Sequence, residues 1–410
     1  MKMGLIFTLL MTIAVQTQAL PKHGDPKAVA SFRSATVGLT SKITFKKMQR
    51  VQTLLSNNQM SKAEGILEKL IDATEGRASE QAQILNTLGS VYASQEKYKL
   101  AEKVFERAIK LKALPYEMSL STLYNLAQLS MGQGHIHKAH TYLNEWFAAS
   151  ESPKPAGYVL HAYIMMELKK PKEAAESVEF ALSKTREAPQ SWLQLGAALA
   201  FENGQYKRAV EHLKALLSKH PKEEKYWKQI IAAYMNLDDL TSALSSMELA
   251  YKQGFYREDK EILNLSSLLA QQGLPYWGGV LLEVSMKKNR VAPLEKNYRV
   301  LAQMWMMAEE YDRAIDPLKA ALKQAKDGET SLRLGQLYME KENWQEAQKY
   351  LQQALNKGGL NSPESVHLAL GIVFVSLMQN SEAEKHFKIS LKNEKTKNSA
   401  QQWLNHISKS

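Results

Sequence analysis

Apolar residues recur along this chain at steps of three and four, the spacing of one face of an α-helix. In KYWKQIIAAYMN, Trp227, Ile230, Ile231 and Tyr234 form one such stripe, and Lys225, Lys228, Ala232 and Met235 form a second on another face. The first stripe reads as core. The second faces either water or a partner.

The same spacing repeats over the length of the chain. In LNTLGSVYASQEKYKLAEKVFERAIKL, Leu85, Leu88, Gly89 and Tyr92 are followed by Ala101, Phe105 and Ala108. Leu334, Gly335, Tyr338, Ala347, Leu351 and Ala354 keep those offsets, as do Tyr298, Leu301, Ala302, Trp305, Ala314, Leu318 and Ala321. Units begin near residues 44, 82, 120, 155, 190, 224, 259, 295, 328 and 364. Pro115, Pro153, Pro189 and Pro221 stand near unit ends, where a helix must stop. The unit at 259 departs from the rest, with Gly278 where alanine is usual and Pro275 just before its second helix, where a missing N–H costs little.

This pattern resembles the tetratricopeptide repeat, a helix–turn–helix of about 34 residues. The resemblance implies an all-α, right-handed solenoid of about ten units, because a lone unit cannot bury its apolar face and stacking does so. The expected layout is an irregular lead-in over 20–43, the superhelix over 44–391, and a basic linker with a capping helix over 392–410. Trp403, in SAQQWLNHI, is placed to cover the last exposed core face.

Composition agrees with a folded helical chain, at 44% hydrophobic and 23% charged, with only 20 glycines and 12 prolines. The first 19 residues read as a secretory signal: Lys2, then the uncharged run MGLIFTLLMTIAV, then small residues at Thr17 and Ala19, with cleavage expected after Ala19. No later apolar run is long enough to span a bilayer, so the mature chain is not expected to be membrane-spanning. The absence of cysteine removes disulfides, thiol catalysis, cysteine-ligated zinc and a lipidated cleavage point. Signal and composition together suit the periplasm. The net charge of +11 is scattered, and export argues against a nucleic-acid partner.

Catalytic motifs are missing. GLPYWGG has glycines without the Gly-Lys-Ser/Thr of a phosphate loop and falls at a repeat turn, and no serine nucleophile elbow occurs. Glu309, Glu310, Asp238 and Asp239 fall in turns, where carboxylates cap helices. GHIHKAH offers His135, His137 and His140 as the one metal-like cluster; neutral imidazoles bind zinc, copper or nickel, but no fourth ligand is evident and a solvated turn accounts for them. The expectation is a non-enzyme without cofactor.

In this repeat type the first helix of each unit lines a groove. Its groove positions carry Lys225, Lys228, Met235, Lys260, Lys296, Arg299, Met306 and Met339, with Met131, Met166 and Met307 in equivalent places and Tyr124, Asn86, Gln128 and Gln194 further toward the N-terminus. Methionine suits a surface that must fit a variable peptide. The same methionines also fit the edge of the core, and the lysines also fit a generally basic surface. The groove reading gives an extended, partly acidic protein segment as the ligand. The lysine–asparagine clamp that holds a terminal carboxylate in some chaperone-binding repeats is not reproduced.

The run YWKQIIAAYMNLDDLTSALSSMELAYKQG, followed by LLAQQGLPYWGGVLLE, is similar to periplasmic tetratricopeptide proteins encoded beside TonB, ExbB and ExbD in some marine Gram-negative bacteria. The similarity covers roughly residues 44 to 390 and is strongest at Tyr226–Trp227, Ala243–Leu244, Gly254 and Gln272 to Pro275. It implies an accessory role in TonB-dependent uptake of iron complexes, with the TonB/ExbB/ExbD assembly as partner and no catalytic residues. A scaffold for a secretion, pilus or polysaccharide-export machine would use the same fold, compartment and groove.

Overall fold

A helical repeat needs an apolar face on both helices, a residue that turns left-handed between them, and a small residue where the two cross. The computed structural model describes residues 20–34 and 41–408, so the expected signal over 1–19 lies outside the described residues. Those residues form twenty-two α-helices. They divide into two compact units, one ending at Lys219 and one beginning at His220.

The first unit opens with a short helix, α1 (Pro26–Arg33). Five antiparallel pairs follow: α2 (Lys42–Ser56) with α3 (Met60–Ala73), α4 (Ala78–Ser94) with α5 (Tyr98–Lys110), α6 (Tyr116–Gly132) with α7 (Ile136–Ala149), α8 (Pro155–Glu167) with α9 (Pro171–Ser183), and α10 (Gln190–Glu202) with α11 (Tyr206–Lys219). The second unit has five more: α12 (Glu224–Asn236) with α13 (Leu240–Lys252), α14 (Asp259–Gln271) with α15 (Pro275–Lys287), α16 (Glu295–Met307) with α17 (Tyr311–Leu322), α18 (Glu329–Glu340) with α19 (Trp344–Lys357), and α20 (Pro363–Ser376) with α21 (Asn380–Ser390). A last helix, α22 (Glu394–Ile407), closes it. Within each unit a helix packs first on its pair partner and next on the helix that follows, which is solenoid stacking.

The turn inside every pair uses one residue at positive φ. These are Asn58, Glu96, Gly134, Lys169, Gly204, Asp238, Gly273, Glu309, Glu342 and Met378. Only three are glycine, although the left-handed region costs an L-residue about 1–2 kcal/mol. Met378 is 92% exposed, so its side chain returns little for that cost. Met378→Gly is expected to stabilise the second unit by roughly 0.5–1 kcal/mol in chemical denaturation, the lost strain exceeding the added chain entropy. An unchanged or lower midpoint would show that the turn is unstrained.

The Leu-Gly step of the repeat has a steric cause. A Cβ on Gly89 would lie 2.6 Å from the Phe105 ring, one on Gly335 2.6 Å from Leu351, and one on Gly371 2.4 Å from Phe387. Each glycine faces the large residue at the centre of its partner helix. The irregular unit at 259 solves the same crossing differently. Ser266 stands at the usual glycine position and Gly278 at the usual alanine position, and Ser266 Oγ donates to Gly278 O at 3.1 Å. A Cβ on Gly278 would sit 2.9 Å from Ser266 O.

Three local expectations need correction. The lead-in holds a helix over Pro26–Arg33: Asp25 accepts from the backbone of Lys27 and Ala28, and Pro26 starts α1 at a position where its missing N–H costs nothing. The stretch KNEKTKNS is mostly not a linker: Asn393 caps α22, which begins at Glu394 and includes Lys395 and Lys397. Trp403 stacks on Phe387, with ring centroids 6.0 Å apart and planes 7° apart. In α12 the fully buried aromatic is Tyr226, at 1% exposure, not Trp227. Trp227 is half-buried and donates its indole N–H to Pro221 O at 2.8 Å, fastening the unit's entry loop.

Candidate partner-binding surfaces

The second stripe of α12 is exposed. Lys225, Lys228, Ala232 and Met235 all face solvent, Met235 at 47%. Lys260 on α14 and Lys296 on α16 are exposed as well. Met306 and Met339 are half-buried, so they form the margin between surface and core, while Met307 is 50% exposed. Met131 and Met166 are likewise half-buried.

Charge on this face is mixed. Lys228 Nζ lies 2.8 Å from Glu224 and 3.0 Å from Glu261, bridging α12 to α14. These carboxylates hold Lys228 protonated well above the ordinary lysine range. Burial raises the Glu261 carboxyl, but Lys228 and the backbone N–H groups of Arg257 and Glu258 more than offset it and hold it ionised below the usual range. Arg299 is half-buried and lies 3.5 Å from Glu295. Lys225 stands 4.9 Å over the Tyr226 ring. The lysines that present charge outward without an ion pair among the described residues are therefore Lys225, Lys260 and Lys296. Sequence reasoning passed over Arg333 on α18, one position from the groove register. It is half-buried, and burial followed by the nearby Arg299 lowers its pKa. Two guanidinium groups thus share one wall.

The three histidines of GHIHKAH do not converge. His135 is exposed, with Nδ1 3.7 Å from Glu102 Oε2, and His137 is exposed. His140 Nε2 lies 3.1 Å from Asn144 Nδ2, and its ring is 6.2 Å from buried His161. Helical spacing spreads them over the start of α7, where Glu102 serves Lys138, Ser130 and Gln133. Among the described residues no group of three or more His, Cys, Asp or Glu side chains is arranged to hold a metal. No described helix is long and apolar enough to cross a membrane.

Two further surfaces carried no sequence motif. GLPYWGG turns out to hold an apolar patch on α15: Trp277 is 58% exposed, beside Leu274, Tyr276 and Val284, with Leu249 exposed on α13. A cavity of about 370 Å³ beside Trp277 is lined by Tyr251, Leu265, Leu269 and Leu281. In the first unit, a cavity of about 390 Å³ lies between α6 and the start of α8, with Leu120, Tyr124, Trp146 and Gly157 among its walls and Arg33 of α1 at its edge. The Tyr124 and Trp146 rings are 5.5 Å apart. Exposed tryptophan on a second helix was the one available sequence signal for the α15 patch. The walls of the α6–α8 cavity come from α6, α7, the start of α8 and the segment before it, with Arg33 of α1 as the one contribution from outside the repeat.

Models of the tetratricopeptide repeat match residues 82–113, 189–233 and 306–385. A curated relative, tetratricopeptide repeat protein 21B of Xenopus laevis, is 25% identical over 219 residues, covering 46% of this chain and 16% of that protein. The chain therefore spans about a sixth of that relative's length. Among solved structures, a tetratricopeptide repeat protein from Parabacteroides merdae is 15% identical, with a TM-score of 0.40, and covers 73% of this chain and 100% of its own. YrrB, described as a tetratricopeptide protein with an unusual peptide-binding site, is 13% identical with a TM-score of 0.39, covering 46% of this chain and 91% of its own. With ten helix pairs in the repeat register and repeat-model matches in both compact units, this chain is an all-α protein built from tetratricopeptide repeats.

Proposed function

We propose that this chain is a non-catalytic binding scaffold of the bacterial periplasm that serves a TonB-dependent uptake system for iron complexes. The observation that carries the scaffold reading is the exposed stripe on successive first helices: Lys225 and Met235 on α12, Lys260 on α14, Lys296 and Met307 on α16. It sets flexible apolar side chains beside outward cations, a combination suited to an extended protein segment with acidic residues. The compartment rests on the apolar N-terminal run with its small-residue end and on the absence of cysteine. The TonB, ExbB and ExbD connection rests on the resemblance carried by Tyr226 to Gly254 and Gln272 to Pro275.

Removing the gene from its native host tests the role. Growth on a siderophore or haem as sole iron source is expected to fail or slow, and growth on a readily available ferrous salt to stay normal. Unimpaired growth on both, together with loss of secretion, piliation or surface polysaccharide, would reassign the scaffold to another envelope machine.

A further inference from the structure

Helix α1 does not belong to any repeat, yet it is seated on the third pair. Gly24 N and Asp25 N donate to Phe147 O and Ala148 O at 3.2 and 2.8 Å; Phe147 O also accepts from Ser150 N at 3.1 Å, and both carbonyls lie in the last turn of α7. Val29 is 7% exposed, and Leu20 and Phe32 pack against the cluster that holds Trp146 and Phe147. Arg33 lies 2.6 Å from Glu151 and 5.0 Å over the Tyr116 ring. The seat therefore reads an amphipathic helix: two apolar side chains three residues apart, then an arginine for a carboxylate and an aromatic face.

The hold on α1 is slight. Eight residues are below the roughly 12 at which an isolated helix becomes even marginal. Both members of the Arg33–Glu151 pair are more than half exposed, where ion pairs contribute little. The seat is also larger than its occupant. Beside α1 the 390 Å³ cavity is open, walled by Leu120, Tyr124, Trp146 and Gly157, with a second carboxylate, Glu117, among its lining residues. The repeats themselves would stack without α1, since among the described residues it packs chiefly on α6 and α7 and stands between no two repeat helices.

We propose that α1 is a built-in competitor, occupying a docking site for a partner's amphipathic helix that carries the same apolar–x–x–apolar–basic pattern and extends a further large apolar side chain into the α6–α8 cavity. Tethering gives α1 a high effective concentration, so a partner must outcompete it. This inference does not depend on the iron-uptake role: the site can bind such a helix if that role fails, and the role can hold if the site does not.

The probe is a fluorescein-labelled synthetic peptide of residues 20–34, titrated into the intact protein and into variants while mass is followed by light scattering. Weakening α1 in the protein by Val29→Asn with Phe32→Ser is expected to tighten peptide binding at least tenfold relative to the unaltered chain. Arg33→Ala, which keeps the apolar contacts, is expected to give a few-fold gain. Adding Glu151→Lys to the weakened variant is expected to reduce binding about fivefold. Equal affinity for all proteins, no binding to either opened variant, or indifference to Glu151→Lys would overturn the proposal. A doubled mass of the unaltered chain without peptide, reverting to a single copy in the Val29→Asn with Phe32→Ser variant, would also overturn it, by assigning the seat to α1 of a second copy.

Discussion

Gly328→Ala is expected to destabilise the second unit by about 3 kcal/mol, the upper end of the range for overpacking a tight contact. The cause is space rather than backbone angle. Gly328 caps α18 at φ −80°, a value any residue adopts. An added Cβ would lie 2.2 Å from Ala354 O and 3.0 Å from Ala354 C, both backbone atoms of α19. A flexible side chain can rotate away; a helix carbonyl cannot, so the start of α18 must shift. That shift breaks the bond from Gly328 N to Gly358 O, now 2.7 Å. For a unit of this size the loss corresponds to a melting temperature lower by roughly 6–12 °C. Gly65→Ala is the contrast: Gly65 has no heavy atom within 4 Å of the added Cβ and lies inside α3, so a gain approaching 1 kcal/mol is expected. Thermal denaturation checks both. A melt for Gly328→Ala equal to the parent's would mean that α18 and α19 do not meet in this way.

The first unit is expected to lose about 3 kcal/mol as pH falls from 6.5 to 4, through His161. This histidine is 6% exposed, with Nδ1 2.8 Å from Ser177 Oγ. Burial is the main force lowering its pKa to about 4, helped by His140 and Lys170. An unfolded histidine titrates near 6.5. Between those values the unfolded chain binds a proton that the folded chain refuses, so stability rises with pH across the window. The contribution is complete above about pH 6.5 and gone near pH 4. His161→Asn, which can keep a bond to Ser177, is expected to flatten this part of the profile while costing some packing. Urea denaturation at pH 7 and pH 4.5 measures it. An equal pH response in parent and variant would place the titration elsewhere.

The two units differ in how much the sequence revealed. Helix pairing was legible because one crossing recurs along the chain: a small residue on the first helix, glycine in the clearest units, faces a large residue on the partner helix, as in Gly89 with Phe105 and Gly371 with Phe387. Where a unit breaks the motif, as with Ser266 and Gly278, periodicity still marks the helices but not the exchange of small residues that lets them cross. The exposed face of α12 was legible for the same reason, because Lys225, Lys228 and Met235 keep a helical step away from the core. Its ion pairing was not. Glu261 reaches Lys228 from the next pair, and no local pattern encodes which carboxylate a lysine will meet across a stack. α1 was missed because its partners, Phe147, Ala148 and Glu151, lie more than a hundred residues away and its eight residues hold a single apolar i,i+3 step, Val29 to Phe32, too short a run to mark a helix. The Trp277 patch looked like a turn because Gly273, Pro275 and Gly278 dominate its composition, whereas Pro275 starts a helix that presents the tryptophan.

The exposed stripe as a partner-binding face is tested most directly by photocrosslinking in the native host. A photoreactive residue at Met235, Lys260 or Met307 would be compared with one at Lys349 or Lys388 on second helices, and captured proteins identified by mass spectrometry. A binding face predicts strong capture of one discrete partner from the first three sites, with TonB, ExbD or an associated receptor expected, and weak capture from the other two. Capture from Lys349 and Lys388 with none from Met235, Lys260 and Met307 would contradict it and leave the stripe as solvated surface.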